Sequence, residues 1–102
     1  MSEASVRLGE AGELRLAGVL DYRTGPALRE AGRKLIASAG ASGLRIDCGE
    51  VEKSSSVGIS LLLAFLRDVG EQDGEARIAN LPQDMREIAR VTGLLDLLPL
   101  EG

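Results

Sequence analysis

The residues with the clearest chemical potential are three consecutive serines, Ser54, Ser55 and Ser56, which come directly before Val57 and Gly58. A serine oxygen at the start of a helix accepts a hydrogen bond from a backbone N–H that would otherwise be unpaired. A helix start also carries partial positive charge, which suits an anion or a phosphoryl group. The pattern therefore predicts either a functional corner that presents hydroxyl groups or three turn serines that only cap a helix.

A serine nucleophile would need an activating base, and the sequence offers little for that role. The chain has no His and one Cys, which removes the commonest general base, a Cys-based zinc site and an internal disulfide. Lys53, Lys34 or a carboxylate would be the remaining bases, and their spacing favours none of them. Phosphate loops, dinucleotide fingerprints and metal-ligand clusters are absent from the sequence as well. We therefore expect a protein that is not an enzyme, with no catalytic residues, no cofactor and no metal.

Length and charge limit the remaining classes of protein. The 102 residues fit one domain, expected over residues 1–102. The net charge of −4 argues against binding to nucleic acid, because such proteins usually carry an excess of basic residues. The charged N-terminal segment does not resemble a signal peptide, and no apolar run approaches the roughly 20 residues that span a bilayer. We expect a soluble cytoplasmic protein without direct membrane insertion.

Hydrophobic periodicity predicts the elements before the serines. Apolar and polar residues alternate over residues 6–8 and 13–16, on either side of a glycine-containing turn, which predicts a hairpin. Residues 17–20 extend its second strand. A helix should then begin at Thr24, which would cap it, and end near Gly40. Its inward stripe would comprise Leu28, Ala31 and Leu35. A further strand is predicted over residues 44–48.

The helix after the serines, predicted over residues 57–69, shows two apolar faces. The face toward the sheet would comprise Ile59, Leu62, Leu63 and Leu66. Leu61 and Phe65 lie four residues apart on another face, where they either pack on a neighbouring helix or remain exposed for a partner. The sequence leaves both alternatives open.

The C-terminal part predicts a strand over residues 76–79 and a helix that opens at Pro82 and ends before Gly93. The inner stripe of this helix would comprise Met85, Ile88 and Ala89. The leucine-rich tail, residues 94–100, must be covered by the domain or by another protein, and it has room for a short last strand. The order β-β-α-β-α-β-α predicts an α/β fold, a mixed β-sheet with parallel core strands and about three to four helices.

Four segments, residues 18–21, 44–48, 55–59 and 76–81, resemble the STAS domain family of anti-sigma factor antagonists and sulfate-transporter tails. Ser55-Ser56-Val57-Gly58-Ile59 resembles the family motif Asp-Ser/Thr-x-Gly-hydrophobic at the start of the second helix. The resemblance covers roughly residues 5–98 and implies a single STAS domain. It maps the family's phosphorylation position to Ser56, and it places Ser55 where the family has Asp.

Residues 80–82, 88–94 and 97–99 are similar to the MlaB-type subfamily of STAS proteins. This resemblance implies a non-enzymatic accessory subunit, peripheral to the inner membrane, that binds the cytoplasmic ATPase, MlaF, of a phospholipid-transport ABC complex. Such a subunit supports assembly and activity of the ATPase and helps to maintain outer-membrane lipid asymmetry. The alternative is an anti-sigma factor antagonist that an anti-sigma factor kinase phosphorylates at Ser56. The partner-binding residues are expected to be Ser54, Ser55, Ser56, Val57, Gly58, Leu61 and Phe65.

Overall fold

Seven regular elements follow one another in the computed structural model, which describes residues 4–40 and 43–101. They are β1 (Ser5–Leu8), β2 (Glu13–Leu20), α1 (Gly25–Ala39), β3 (Leu44–Ser54), α2 (Ser56–Glu71), β4 (Ala76–Ala79) and α3 (Gln83–Val91). Two 3-10 turns, Glu10–Gly12 and Leu95–Leu97, lie in the hairpin loop and the tail. The predicted order β-β-α-β-α-β-α is confirmed.

The four strands form one sheet in the order β1-β2-β3-β4. β1 runs antiparallel to β2, whereas β2 with β3 and β3 with β4 are parallel pairs. Right-handed crossovers that always step in the same direction along a sheet place their helices on the same face. Accordingly α1 and α2 pack against each other on one face, and the predicted mixed sheet with parallel core strands is confirmed.

Alternation along β2 separates an apolar face from a charged one. Leu14, Leu16 and Leu20 are fully buried beneath the helices. Glu13 lies on the opposite face, where its carboxylate contacts Arg15 at 3.0 Å and Arg45 at 2.8 Å. The helix-free face of the sheet is therefore a surface of paired charges.

The inward stripe of α1 differs from the predicted one. The structure buries Gly25, Leu28, Gly32 and Ile36, whereas Ala31 is exposed and Leu35 is half-buried. The physical reason is the close approach of α2, whose Val57 and Phe65 side chains occupy the space beside Gly25 and Gly32. Glycines do not count as hydrophobic residues in a periodicity pattern. The pattern therefore predicted Ala31 and Leu35 on the inward stripe of α1 in place of their neighbours Gly32 and Ile36.

The inward face of α2 is confirmed for Ile59 and Leu62, at 1% and 0% exposure. Leu63 and Leu66, which were predicted on the same face, are only partly buried. Because α2 is covered by α1 as well as by the sheet, its buried stripe is centred on the side that includes Phe65. Leu63 and Leu66 consequently pack against the core from its margin.

The tail is covered mainly by the domain itself. Gly93, at φ 76°, ends α3, and the Leu94 N–H donates to the Ala89 carbonyl at 2.8 Å, as in a Schellman motif. Leu98 is 6% exposed, and Leu100 forms a single parallel bridge with Ile78 in place of a longer last strand. Within α3, Met85 and Ala89 are buried as predicted and Ile88 is half-buried.

Candidate partner-binding site

The serine corner, residues 54–58, lies where β3 joins α2, at the edge of the sheet where the parallel strands β2 and β3 both end. The strand was predicted to end at Cys48, but β3 continues to Ser54 because Val51 and Ser54 pair with Gly18 and Leu20 of β2. Two register shifts in β2 and β3 accommodate the longer strand. The three serines therefore occupy three different environments: the end of a strand, a helix cap and the first turn of a helix.

Ser55 is the one of the three serines that caps α2, which begins at Ser56, one residue before the predicted start. Its Oγ accepts a hydrogen bond from the Val57 N–H at 3.1 Å, and its own N–H donates to the Leu20 carbonyl at 2.9 Å. The Ser55 hydroxyl also donates to the Leu20 carbonyl at 3.4 Å. One residue thus satisfies an unpaired donor at the helix start and fastens the corner to the end of β2.

Ser54 and Gly58 are buried, so their predicted place on the outer surface of the corner is wrong. The Ser54 hydroxyl points inward and donates to the Ser55 carbonyl at 2.7 Å. A Cβ on Gly58 would clash with Ser54 Oγ and would lie only 3.0 Å from Met85 Cε. Glycine is required here because the strand end and α3 approach the helix backbone closely.

Ser55, Ser56 and Val57 form the outward side of the corner, with both serines exposed and Val57 half-buried. The Ser56 carbonyl accepts a weak hydrogen bond from the Ser60 hydroxyl at 3.4 Å. The Ser56 hydroxyl itself makes no hydrogen bond with any residue that the structure describes. It is consequently accessible and free to bond with a partner or a modifying enzyme.

Leu61 and Phe65 pack on a neighbouring helix, which is the first of the two alternatives that the sequence left open. Leu61 is 4% exposed and Phe65 is 0% exposed, so neither is an exposed residue, and their role in partner binding stays a prediction. The Phe65 ring lies against Gly32 of α1. Leu61 contributes to the floor of a surface groove between α1 and α2.

The loop between β2 and α1 adds residues that the sequence analysis did not assign to the site. Thr24 occupies the N-cap position of α1 without capping it, because its hydroxyl accepts from the Asp21 N–H at 3.0 Å and donates to the Val19 carbonyl at 2.9 Å instead. Asp21 organises the loop by accepting from the N–H groups of Arg23 and Thr24 at 2.9 and 3.2 Å. Tyr22 is left 77% exposed beside the corner. The sequence indicates its place in the site only by an aromatic residue just before the start of a helix.

Asp21 and Cys48 have pKa values that differ from the ordinary values of their side chains. Desolvation would raise the pKa of Asp21, but hydrogen bonds from Arg23 and Thr24 outweigh it and lower that pKa below its usual value. Burial raises the pKa of the Cys48 thiol to about 12, so that Cys48 stays a neutral thiol. Across residues 4–40 and 43–101 no three His, Cys, Asp or Glu side chains are grouped to hold a metal ion.

None of the helices in the described ranges is long and apolar enough to cross a membrane. The mixed four-stranded sheet with its helices on one face, and a serine turn at the start of α2, define the class of protein. The chain belongs to the STAS domain family, because residues 4–99 match a model of that family. That model is described as "Mlab, STAS domain".

Individual relatives fall into two groups. The Anti-sigma-B factor antagonist of Bacillus subtilis is 30% identical over 92 residues, which cover 88% of this chain and 81% of the relative. The crystal structure of an anti-sigma factor antagonist from Mycobacterium paratuberculosis is 27% identical with a TM-score of 0.74, covering 98% of this chain and 85% of that one. A chain of the Acinetobacter MlaFEDB complex, in its ATP-bound Vtrans2 conformation, has the same fold with a TM-score of 0.81 at 22% identity, covering 95% and 99% of the two chains.

Proposed function

We propose that this chain is a non-enzymatic accessory subunit that binds the cytoplasmic ATPase of an Mla-type phospholipid-transport ABC complex. The observation that carries the proposal is the match of residues 4–99 to the family model described as MlaB. In this role the subunit supports assembly and activity of the ATPase and helps to maintain outer-membrane lipid asymmetry. It is cytoplasmic, peripheral to the inner membrane through the complex, and requires no cofactor.

The corner is suited to binding because its shape is set before a partner arrives. The Ser55 N–H and hydroxyl both bond to the Leu20 carbonyl, which holds the start of α2 against β2. Ser56 and Val57 then present a free hydroxyl and a half-exposed apolar side chain on a rigid helix start. A preorganised surface loses little conformational freedom on association, so its contacts contribute more fully to affinity. Ser56 would contribute packing and a hydrogen bond to the ATPase.

A second candidate is an anti-sigma factor antagonist that a partner kinase phosphorylates at Ser56. The 30% identity to the Bacillus subtilis antagonist favours it, as does the accessible Ser56 hydroxyl at a helix start that would stabilise a phosphate. Ser55 argues against it, because the family motif has a carboxylate at that position. We therefore rank this candidate below the ATPase-binding subunit.

The test measures capture of the purified cognate ATPase subunit by this chain and two Ser56 variants. Ser56→Asp should stay folded, because negative charge at a helix start is worth roughly 0.3–1 kcal/mol, but it should lose binding where an unpaired charge is desolvated. Ser56→Ala should weaken binding only modestly. Gln83→Asp is the matched control, since it adds one carboxylate to the exposed first residue of α3.

Circular dichroism of each variant excludes unfolding as the cause. A folded Ser56→Asp that binds the ATPase as tightly as the wild-type chain would show that the serine corner is not the interface. The second candidate would be established instead by a different result. The wild-type chain would then not bind the ATPase, and a cognate anti-sigma factor kinase would phosphorylate the wild-type chain but not Ser56→Ala.

A further inference from the structure

A groove of about 410 Å³ runs beside the serine corner, between the start of α1 and the first half of α2. Its lining includes Tyr22 and Pro26 on one side and Val57, Leu61 and Ala64 on the other. Val57 belongs both to the groove and to the outward side of the serine corner. The two surfaces are therefore continuous, and one partner could cover both.

The floor of the groove has helical spacing. Val57, Leu61 and Ala64 lie four and three residues apart on α2, so they form a straight apolar stripe roughly 10 Å long at 1.5 Å per residue. Tyr22 extends the apolar wall with a ring that is 77% exposed. A straight apolar stripe of about two helical turns fits the apolar face of another helix, whose large side chains recur with the same spacing.

Two arginine side chains lie beside the groove, although the chain carries a net charge of −4. Arg29 is part of the lining, and the Arg23 guanidinium lies 5.8 Å from the centre of the Tyr22 ring. Each arginine pairs with a carboxylate that is less exposed than the arginine itself. In the first pair the Arg23 side chain is 72% exposed and Asp21 is 18% exposed. In the second pair Arg29 is 34% exposed and Asp68 is 9% exposed. Carboxylates on a partner would meet cations at this rim, which is the complementarity that selects an acidic segment.

We infer that the groove is the docking site for an acidic amphipathic helix of the ATPase subunit. Its apolar side chains lie between Tyr22 and the α2 stripe, and its carboxylates face Arg23 and Arg29. This inference rests on the proposed function, because the helix is assigned to the same partner that covers the serine corner. Tyr22 is the central contact, since it supplies a large, rigid and exposed ring at one wall.

The first test measures affinity for the cognate ATPase subunit by calorimetry. Tyr22→Ala should weaken binding about tenfold or more, as expected for an exposed aromatic side chain that a partner buries on binding. Val91→Ala is the matched control, because Val91 is a 75% exposed apolar residue of α3, away from the groove. Its affinity should stay within about twofold of the wild-type value.

The second test determines whether the segment that occupies the groove is acidic. Ser60 lies at the groove and is exposed, so Ser60→Glu and Ser60→Lys place opposite charges at one position. An acidic occupant predicts that Ser60→Glu binds about tenfold more weakly than Ser60→Lys, a difference that loss of folding cannot produce. Arg23→Glu should also weaken binding, whereas Arg86→Glu, the same charge change on exposed Arg86 of α3, should not.

The outcomes separate the two proposals. If the wild-type chain does not bind the ATPase, the proposed function is wrong and the groove assignment is wrong with it. If the wild-type chain binds and Ser56→Asp disrupts binding, but Tyr22→Ala, Arg23→Glu and both Ser60 variants bind normally, only the groove assignment is wrong. Tighter binding by Ser60→Glu than by Ser60→Lys would exclude an acidic occupant.

Discussion

The Phe65 ring occupies the space in which a Cβ atom at position 32 would lie, so only glycine fits there. A Cβ built on Gly32 would come within 2.5 Å of Phe65 Cζ, far inside van der Waals contact. A second close approach lies at the N-terminal ends of the same two helices, where a Cβ on Gly25 would come within 2.8 Å of Val57 Cγ1. The separation of α1 and α2, and with it the shape of the groove between them, is therefore set by two glycines.

Gly32→Ala should destabilise the fold by about 1–3 kcal/mol, because the added methyl group forces α1 and α2 apart in a close-packed interior. Urea denaturation measures the change. Gly70→Ala is the matched control, since a Cβ there meets no atom within 4 Å and alanine favours a helix by up to about 1 kcal/mol. Equal stability of the Gly32→Ala variant and the wild-type chain would mean that the two helices are not in close contact.

Leu62→Ala and Leu63→Ala should differ although the two residues are neighbours. Leu62 is fully buried, so its truncation should cost about 2–5 kcal/mol through lost burial and a cavity. Leu63 lies at the margin of the core, and its truncation should cost about 1 kcal/mol. Chemical denaturation midpoints compare the two variants, and a larger loss for Leu63→Ala would mean that the orientation of α2 is wrong.

Ser55→Ala should remove the N-cap of α2 and cost about 0.5–2 kcal/mol, because the Val57 N–H loses its acceptor. Ser55→Asp restores the carboxylate of the family motif and also accepts at an N-cap, so it should keep most of the stability. Thermal denaturation of both variants checks the difference. A Ser55→Asp variant as unstable as Ser55→Ala would show that the Ser55 hydroxyl acts mainly as a donor to Leu20.

The stability of the domain should fall with acid partly through the charged face of the sheet. The Arg45 guanidinium donates to both Glu101 carboxylate oxygens at 3.1 and 3.0 Å, which lowers the pKa of Glu101 below its ordinary value. A carboxyl group whose pKa is lower in the folded state adds stability above its unfolded pKa and loses it as the pH falls through the folded pKa. Glu101 therefore contributes to the loss of stability as the pH falls from about 5 through the lowered pKa of its carboxyl group.

Glu101→Gln should make this dependence shallower, as measured by urea midpoints across the same pH range. Identical slopes for Glu101→Gln and the wild-type chain would mean that the ion pair with Arg45 does not persist in solution.

The order of the elements was determined by the sequence, because alternation and helical spacing are local properties that each segment carries alone. The apolar residues Leu14, Leu16 and Leu20 indicate a half-buried strand wherever β2 is placed, and Ser55 caps a helix through its own neighbours. The resemblance of residues 55–59 to the family motif was readable for the same reason.

The tertiary structure alone decided which side of each element is buried at the contacts between elements. β3 extends to Ser54 because β2 offers it pairing partners, a condition that no local pattern in residues 49–53 reveals. Leu61 and Phe65 are covered because Gly25 and Gly32, far away in sequence, allow α1 to approach α2 closely. Glycine has no side chain, so its effect on packing depends on which distant segment fills the space beside its backbone.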